Sequence, residues 1–143
     1  MQAARDLAAT LGLEASFAGF LNQTEMPKAY VAGDGLVLPS SADETWGLVC
    51  NEAMACGTPA IVSDRVGCAG DLVVDGQTGK VVPFRDPAAI GNTLVEWQRN
   101  APLHESICRR ARTHVEQHYS PEKATEGLKA GVAVARSPSM SSE

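Results

Sequence analysis

Residues 39–59 read Pro-Ser-Ser-Ala-Asp-Glu-Thr-Trp-Gly-Leu-Val-Cys-Asn-Glu-Ala-Met-Ala-Cys-Gly-Thr-Pro. This stretch follows an apolar run at residues 36–38 that is typical of a buried strand, and it passes through a polar loop into strong helix formers at residues 48–55. A glycine and a proline then end the helix, and residues 60–62 begin another strand. The order strand, loop, helix, turn, strand predicts a parallel crossover unit, and therefore an α/β fold with a parallel sheet.

The loop before this helix places charge and open backbone groups where α/β folds bind ligands. In such folds ligands lie at the carboxyl ends of the strands, where loops lead into helices. Glu44 and Glu52 flank that place, with Thr45, Trp46 and Gly47 between them. The first amides of a helix have no intrahelical acceptor and carry the positive end of its dipole, so they attract phosphate. Gly47 lacks a side chain and therefore lets a phosphate or a sugar approach the backbone closely.

The two glutamates differ in their reach along the helix. At the rise of an α-helix they span on the order of 10 Å, which is about the length of a sugar diphosphate. A carboxylate accepts two hydroxyl hydrogen bonds well, so each glutamate suits a ribose or hexose diol. In a second interpretation Glu44 only stabilises the helix dipole and Glu52 is a solvated helical residue. Spacing alone leaves both interpretations open.

The segment at residues 44–59 resembles the donor-site signature of group 1 retaining glycosyltransferases, which are enzymes of the GT-B fold. Similar segments at residues 19–23, 36–40 and 61–67 extend the resemblance over roughly residues 7–130. The resemblance implies an α/β domain with a Rossmann-like parallel sheet of about four strands. It would be the C-terminal, donor-binding half of such an enzyme.

The same resemblance implies a role for each residue of the signature. Glu52 would hold the ribose diol of the nucleotide, and Glu44, as the catalytic residue, would contact the transferred sugar near its reacting carbon. Amides from Trp46 to Val49 would hold the diphosphate. The implied donor-binding residues are Glu44, Thr45, Trp46, Gly47, Leu48, Val49 and Glu52.

The implied reaction moves a hexose from a UDP- or GDP-sugar to a lipid or glycan acceptor with retention at the front face. It requires no protein nucleophile, no obligatory metal and no cofactor. Two alternatives stay open, namely a non-catalytic nucleotide-sugar-binding module and a sugar-nucleotide epimerase of the GT-B fold. The spacing of Glu44 and Glu52 favours the transferase over the epimerase.

The resembling enzymes have further segments before the region that this chain matches. They carry two more strands, a helix with a Gly-rich turn and a basic pair that grips the diphosphate, and a whole N-terminal domain that binds the acceptor. We therefore expect residues 1–136 to be a partial C-terminal domain, truncated at its N-terminus and inactive alone. Its exposed sheet edge would favour a homodimer. The polar, Ser-rich residues 137–143 predict a disordered tail.

Composition limits the remaining possibilities. A chain of 143 residues is the size of one domain, and its net charge of −5 gives no reason to expect a nucleic-acid partner. No apolar run approaches the roughly 18 residues that would span a bilayer, and the N-terminus lacks a signal-peptide core. The four cysteines show no paired metal spacing, which fits a reducing cytoplasm. In the full-length enzyme the inner face of the membrane is an alternative location.

The remaining elements follow from hydrophobic periodicity and from helix start and stop signals. Trp97 is expected in the core, and Arg65 is expected to pair with a neighbouring acid rather than with a ligand. His114 and His118 are expected at a solvated helix end rather than at a metal. The expected strands are residues 15–19, 36–38, 60–63 and 80–83, and the expected helices are residues 2–13, 24–32, 48–55, 86–99, 102–118 and 121–134.

Overall fold

A computed structural model describes residues 2–136 of the chain, so the tail predicted at residues 137–143 lies outside the described residues. The elements alternate as an α/β fold requires. In chain order they are α1 (Gln2–Thr10), α2 (Met26–Val31), β1 (Leu36–Leu38), α3 (Leu48–Ala55), β2 (Ala60–Ser63), β3 (Gly79–Val82), α4 (Pro87–Arg99), α5 (Ala101–His118) and α6 (Pro121–Arg136).

The three strands form one sheet in the order β1-β2-β3, and both pairs are parallel. Val37 of β1 lies opposite Ile61 of β2, which in turn lies opposite Lys80 of β3. Every residue of β2 is buried, as expected for a central strand covered on both faces. Because the strands are parallel, the loops that follow them all leave from one edge of the sheet. The parallel α/β fold that the sequence predicts is confirmed.

Helices cover both faces of this sheet. Adjacent residues of a strand point to opposite faces, and Ile61 and Val62 of β2 accordingly belong to two different buried clusters. Val62 packs in the cluster that includes Met54 of α3, whereas Ile61 packs in the cluster that includes Trp97 of α4. Trp97 is only 5% exposed, which confirms it as a core residue. Helix α5 contributes buried residues to both clusters.

The sheet has three strands rather than the expected four, because residues 15–19 do not form a strand. A strand exists only if a neighbour accepts and donates its backbone hydrogen bonds. Within residues 2–136 this segment has no such neighbour, and most of its side chains are exposed. The outer edge of β1 is also without a partner strand in the described part of the chain, and Val37 is 36% exposed there.

The first and last helices lie outside the two buried clusters. Neither α1 nor α6 contains a buried residue, although each is amphipathic. Leu7 and Leu11 of α1 are exposed, as are Leu128 and Val132 of α6. Along the described helices, none combines the length and the apolar character that crossing a bilayer requires.

Candidate functional site

The loop that follows β1 is held in place by the loop that follows β2. The Gly67 amide donates to the carbonyl oxygen of Glu44 at 3.3 Å, and the Cys68 amide donates to that of Trp46 at 3.1 Å. The amide of Glu44 donates in turn to the carbonyl oxygen of Ser41 at 3.1 Å. Backbone hydrogen bonds therefore set the path of the segment that carries the predicted catalytic glutamate.

Two glycines make this arrangement of loops possible. Gly47 has a φ of +89°, and a Cβ atom there would lie 2.9 Å from Leu38 Cδ2 and 3.2 Å from Val66 Cγ1. A Cβ atom on Gly67 would overlap the carbonyl oxygen of Thr45. Close approach of a ligand is one predicted reason for glycine at position 47. The structure adds a second reason, since packing and backbone conformation each require glycine at this position.

The side chain of Trp46 is partly buried and contacts other residues of the protein. Its indole Nε1–H donates to Asn51 Oδ1 at 2.7 Å, and its ring centroid lies 5.9 Å from that of Tyr119. The half-buried indole packs against the cluster of buried residues beneath α3. The side chain thus anchors the loop, and its contribution to a ligand would come from the backbone amide.

The start of α3 presents open backbone donors. Gly47 is the N-cap, and its carbonyl oxygen accepts from the Cys50 amide at 2.9 Å. The amides of Leu48 and Val49 precede the first intrahelical bond, and neither donates to any acceptor among residues 2–136. The Leu48 side chain is 69% exposed. This helix end therefore offers two N–H groups without an acceptor among the described residues, together with the positive end of a dipole.

The two glutamates lie in different environments. Glu44 is half-buried before the helix, and its carboxylate forms no hydrogen bond or ion pair with another described residue. Glu52 is exposed on α3, and its Oε2 accepts a hydrogen bond from the hydroxyl group of Tyr30 at 2.7 Å. Burial, and then this hydrogen bond, raise the pKa of the Tyr30 phenol, so Tyr30 remains a neutral donor at ordinary pH.

A groove of about 850 Å³ opens beside Glu52. Glu52, Tyr30 and Cys56 line it together with residues 20–24, Met26 and Pro27. Phe20 is 93% exposed at its rim. Its lining includes Glu52 but not Glu44, so the structure links one of the two glutamates to a cavity.

Sequence reasoning did not identify the residues that form this groove. Tyr30 falls within the helix predicted at residues 24–32, and Phe20 lies outside every predicted helix and strand. The sequence does contain a signal at Phe20. An aromatic residue in a polar loop after Gly19 is expected to be exposed, and an exposed aromatic side chain can contact a ligand. Gly19 has a φ of +71°, which turns the chain at that point.

Two buried cysteines belong to the core cluster against which Trp46 packs. Cys50 of α3 and Cys68 of the loop after β2 are both free and buried. The hydrogen bond between the two thiols and burial raise the pKa of Cys50, so it is a neutral core residue at ordinary pH. Cys50 therefore fills space in the core, as a small apolar residue does.

The other charged residues singled out in the sequence lie at the surface. Arg65 Nε lies 4.0 Å from a carboxylate oxygen of Asp64, as expected for a cation beside its neighbouring acid, and both side chains are exposed. The ring centroids of His114 and His118 are 4.9 Å apart, and His114 Nε2 lies 3.0 Å from the carbonyl oxygen of Asp71. Across residues 2–136 no three His, Cys, Asp or Glu side chains group in a way that could hold a metal ion.

Comparison with known sequences identifies a protein family that the chain matches. The profile of the family described as glycosyl transferases group 1 matches residues 2–114. A D-inositol 3-phosphate glycosyltransferase from Salinispora arenicola is 36% identical over 125 residues, which cover 86% of this chain and 27% of that enzyme. The chain spans about a quarter of the length of the first curated relatives that it matches.

Comparison with solved structures gives the same fold. Sucrose-phosphate synthase from Thermosynechococcus elongatus has a TM-score of 0.80 at 27% identity, and the match covers 95% of this chain and 35% of that one. Anabaena HepE, solved in complex with UDP-glucose, has a TM-score of 0.80 at 21% identity, with 93% of this chain and 36% of that one covered. The three parallel strands and their helices therefore have close counterparts in larger chains.

Proposed function

Because the chain belongs to the group 1 glycosyl transferases, we propose that it forms the part of such an enzyme that binds the nucleotide-sugar donor. Its fold is that of the C-terminal domain of GT-B glycosyltransferases. The proposed donor is a UDP- or GDP-sugar, and the proposed acceptor of its hexose is a lipid or a glycan. No cofactor and no metal take part in the proposed reaction.

One observation carries the proposal. The open amides of Leu48 and Val49 lie between Glu44, which precedes α3, and Glu52, which lies beside the groove. A sugar diphosphate that places its phosphates at the helix start would have a carboxylate near each end. The likeness to HepE concerns the fold, and that structure's bound UDP-glucose makes UDP-glucose a sensible first ligand to test.

In the proposed reaction the nucleoside diphosphate is the leaving group, and negative charge develops on it as the bond to the sugar breaks. Two fixed N–H donors and the helix dipole would stabilise that charge, and they need no reorganisation because the fold already holds them in place. Glu44 would orient the hydroxyl groups of the sugar near the reacting carbon. Glu52 would accept hydrogen bonds from the ribose diol.

We further propose that the 143-residue chain alone binds the donor without transferring its sugar. A retaining transfer needs an acceptor held over the reacting carbon, and the family resemblance assigns acceptor binding to a separate N-terminal domain. The open edge of β1 would then be covered by another copy of the chain. Light scattering at rising concentration should show a dimer, and a strict monomer would contradict this contact.

The donor site can be tested by an NMR titration of the chain with UDP, GDP and their sugars. Shifts should cluster at residues 45–52 and should disappear in the Glu52→Ala variant. Glu96→Ala is a matched control, because Glu96 is an exposed helical glutamate on α4, away from the groove. The same shifts should persist in this control. If no nucleotide shifts these residues up to millimolar concentration, the proposed donor site is wrong.

The same samples distinguish the alternatives. A non-catalytic module would bind the nucleotide sugar and leave it unchanged, also when a partner domain and an acceptor are supplied. An epimerase would convert the bound sugar nucleotide into its epimer, which one-dimensional NMR of the sugar protons detects directly. Transfer to an acceptor with the anomeric configuration retained would support the transferase.

A further inference from the structure

We propose that Tyr30 is a positioning residue that holds the Glu52 carboxylate in place for a vicinal diol of the ligand. This inference rests on the proposed function, since it explains how the donor site would select a ribonucleotide over a deoxy analogue. One hydrogen bond carries it. The Tyr30 hydroxyl donates to Glu52 Oε2 at 2.7 Å, between residues that lie 22 positions apart in the chain.

Tyr30 is rigidly held, as a positioning residue must be. Only 7% of it is exposed. Its carbonyl oxygen accepts from Thr58 Oγ1 at 2.8 Å, and the Thr58 amide donates to the carbonyl oxygen of Ala53 at 2.9 Å. Through Thr58 the backbone of Tyr30 is thus tied to the end of α3, the same helix that carries Glu52.

Glu52 by itself would not be held. Its side chain is exposed and has several rotatable bonds, so a ligand that fixed it would lose binding free energy to side-chain entropy. The hydrogen bond from Tyr30 fixes the carboxylate before the ligand arrives, which reduces that loss. Within residues 2–136 the structure shows no salt bridge to Glu52, so the Tyr30 hydroxyl group is the protein donor that holds its carboxylate.

The contact leaves room for a diol. Each carboxylate oxygen can accept two hydrogen bonds, so Oε2 can accept one from Tyr30 and one from a ligand hydroxyl, while Oε1 accepts the other hydroxyl. Both residues line the groove, whose lining also includes apolar side chains such as Phe20 and Met26. A nucleoside fits this combination, because its base has flat faces that can pack on apolar side chains and its ribose carries a diol.

The test is a comparison of dissociation constants for UDP and for its 2′,3′-dideoxy analogue, or for the GDP pair if GDP is preferred. Wild type should bind the ribonucleotide more tightly than the dideoxy analogue. In Tyr30→Phe, which removes only the hydroxyl group, affinity for the ribonucleotide should fall about 3- to 10-fold, as expected for one hydrogen bond. Affinity for the dideoxy analogue should stay the same.

Two further variants make this result specific. Tyr119→Phe changes the other tyrosine of the chain and should leave both affinities unchanged. Glu52→Ala should remove the preference for the diol, and adding Tyr30→Phe to it should have no further effect. Thermal unfolding of each variant shows whether it folds. The Cζ carbon resonance of Tyr30 should also shift in Glu52→Ala without any ligand, which tests the hydrogen bond itself.

The outcomes separate this inference from the proposed function. If Tyr30→Phe weakens the two nucleotides equally, or keeps the full preference for the diol, the positioning role is wrong while donor binding stands. If the Cζ resonance does not respond to Glu52→Ala, the hydrogen bond is absent and the inference is overturned. If wild type binds neither UDP nor GDP, the proposed function fails and the inference fails with it.

Discussion

Replacing Gly67 by alanine tests how the two loops at the carboxyl edge of the sheet hold each other. The new Cβ atom would overlap the carbonyl oxygen of Thr45 and would lie 2.7 Å from its carbonyl carbon. These are backbone atoms, so no side-chain rotation can relieve the overlap. The loops must move apart, and the hydrogen bonds from Gly67 to Glu44 and from Cys68 to Trp46 must lengthen or break.

The expected cost follows from these contacts. Each lost backbone hydrogen bond removes about 0.5–1.5 kcal/mol, and a forced overlap in a packed region typically costs about 1–3 kcal/mol. Alanine also restricts the unfolded chain, which offsets about 0.4–1 kcal/mol. If both hydrogen bonds are lost, the free energy of unfolding should therefore fall by about 1–5 kcal/mol, a sizeable part of the roughly 5–15 kcal/mol that a domain has.

Urea unfolding followed by circular dichroism measures this change, and thermal unfolding gives a second estimate. For a domain of this size Tm should fall by about 4 °C for each kcal/mol. The matched control is Gly91→Ala, because Gly91 lies in α4 and a Cβ atom there would have no neighbour within 4 Å. This control should raise the free energy of unfolding by about 0.5–1 kcal/mol, so the two substitutions should have opposite signs.

A Gly67→Ala variant with wild-type stability would refute the contact between the two loops. Equal changes in the free energy of unfolding for Gly67→Ala and Gly91→Ala would also refute this contact. A destabilised Gly67→Ala variant that still binds nucleotide as wild type would show that the loop path matters for the fold but not for the donor site.

Other changes probe the core and the thiols. Leu72→Ala should lower the free energy of unfolding by about 2–5 kcal/mol because Leu72 is fully buried. Leu128→Ala on exposed α6 should change the free energy of unfolding by no more than about 0.5 kcal/mol. Urea unfolding measures both variants, and equal losses would contradict the assignment of the core. Trp46→Phe removes the hydrogen bond to Asn51 and should cost about 0.5–1.5 kcal/mol in the same assay; no loss would show that the indole does not anchor the loop. Cys50 should resist iodoacetamide at pH 8 in the folded protein and react in urea, because its thiol is buried and its pKa is raised. Mass spectrometry of peptides measures the labelled fraction of Cys50, and rapid labelling in the folded state would contradict the prediction.

Most of the fold could be predicted because its signals are local. Helix α4 begins where Asp86 precedes Pro87, and the Asp86 side chain indeed accepts from the Ala89 amide at 2.9 Å. Asn100 plays the same part for α5, accepting from the Leu103 amide at 3.1 Å. Such caps and apolar periods depend on residues within a few positions of one another, so a sequence displays them directly.

The strand expected at residues 15–19 shows where local signals end. Only Phe17 among its residues belongs to a type that is enriched in strands, and a strand also needs a partner, which none of the described residues provides. Pairing is a property of the whole sheet, which no window of sequence contains. The same limit applies to the site. The motif from Glu44 to Glu52 could be recognised because it is continuous, and the assignment of its residues to a donor stays a prediction.

The sequence by itself determined the order of the elements from β1 onward, the parallel sheet and the place of the loop that enters α3, because these follow from hydrophobic period, caps and one continuous motif. Only the tertiary structure decided what surrounds that loop. Gly67 is required by a carbonyl group 22 residues earlier in the chain, and Glu52 meets Tyr30 across the same sequence distance. Such contacts depend on how α2, α3 and the loop after β2 pack together, and packing is settled by the three-dimensional arrangement of side chains rather than by their order.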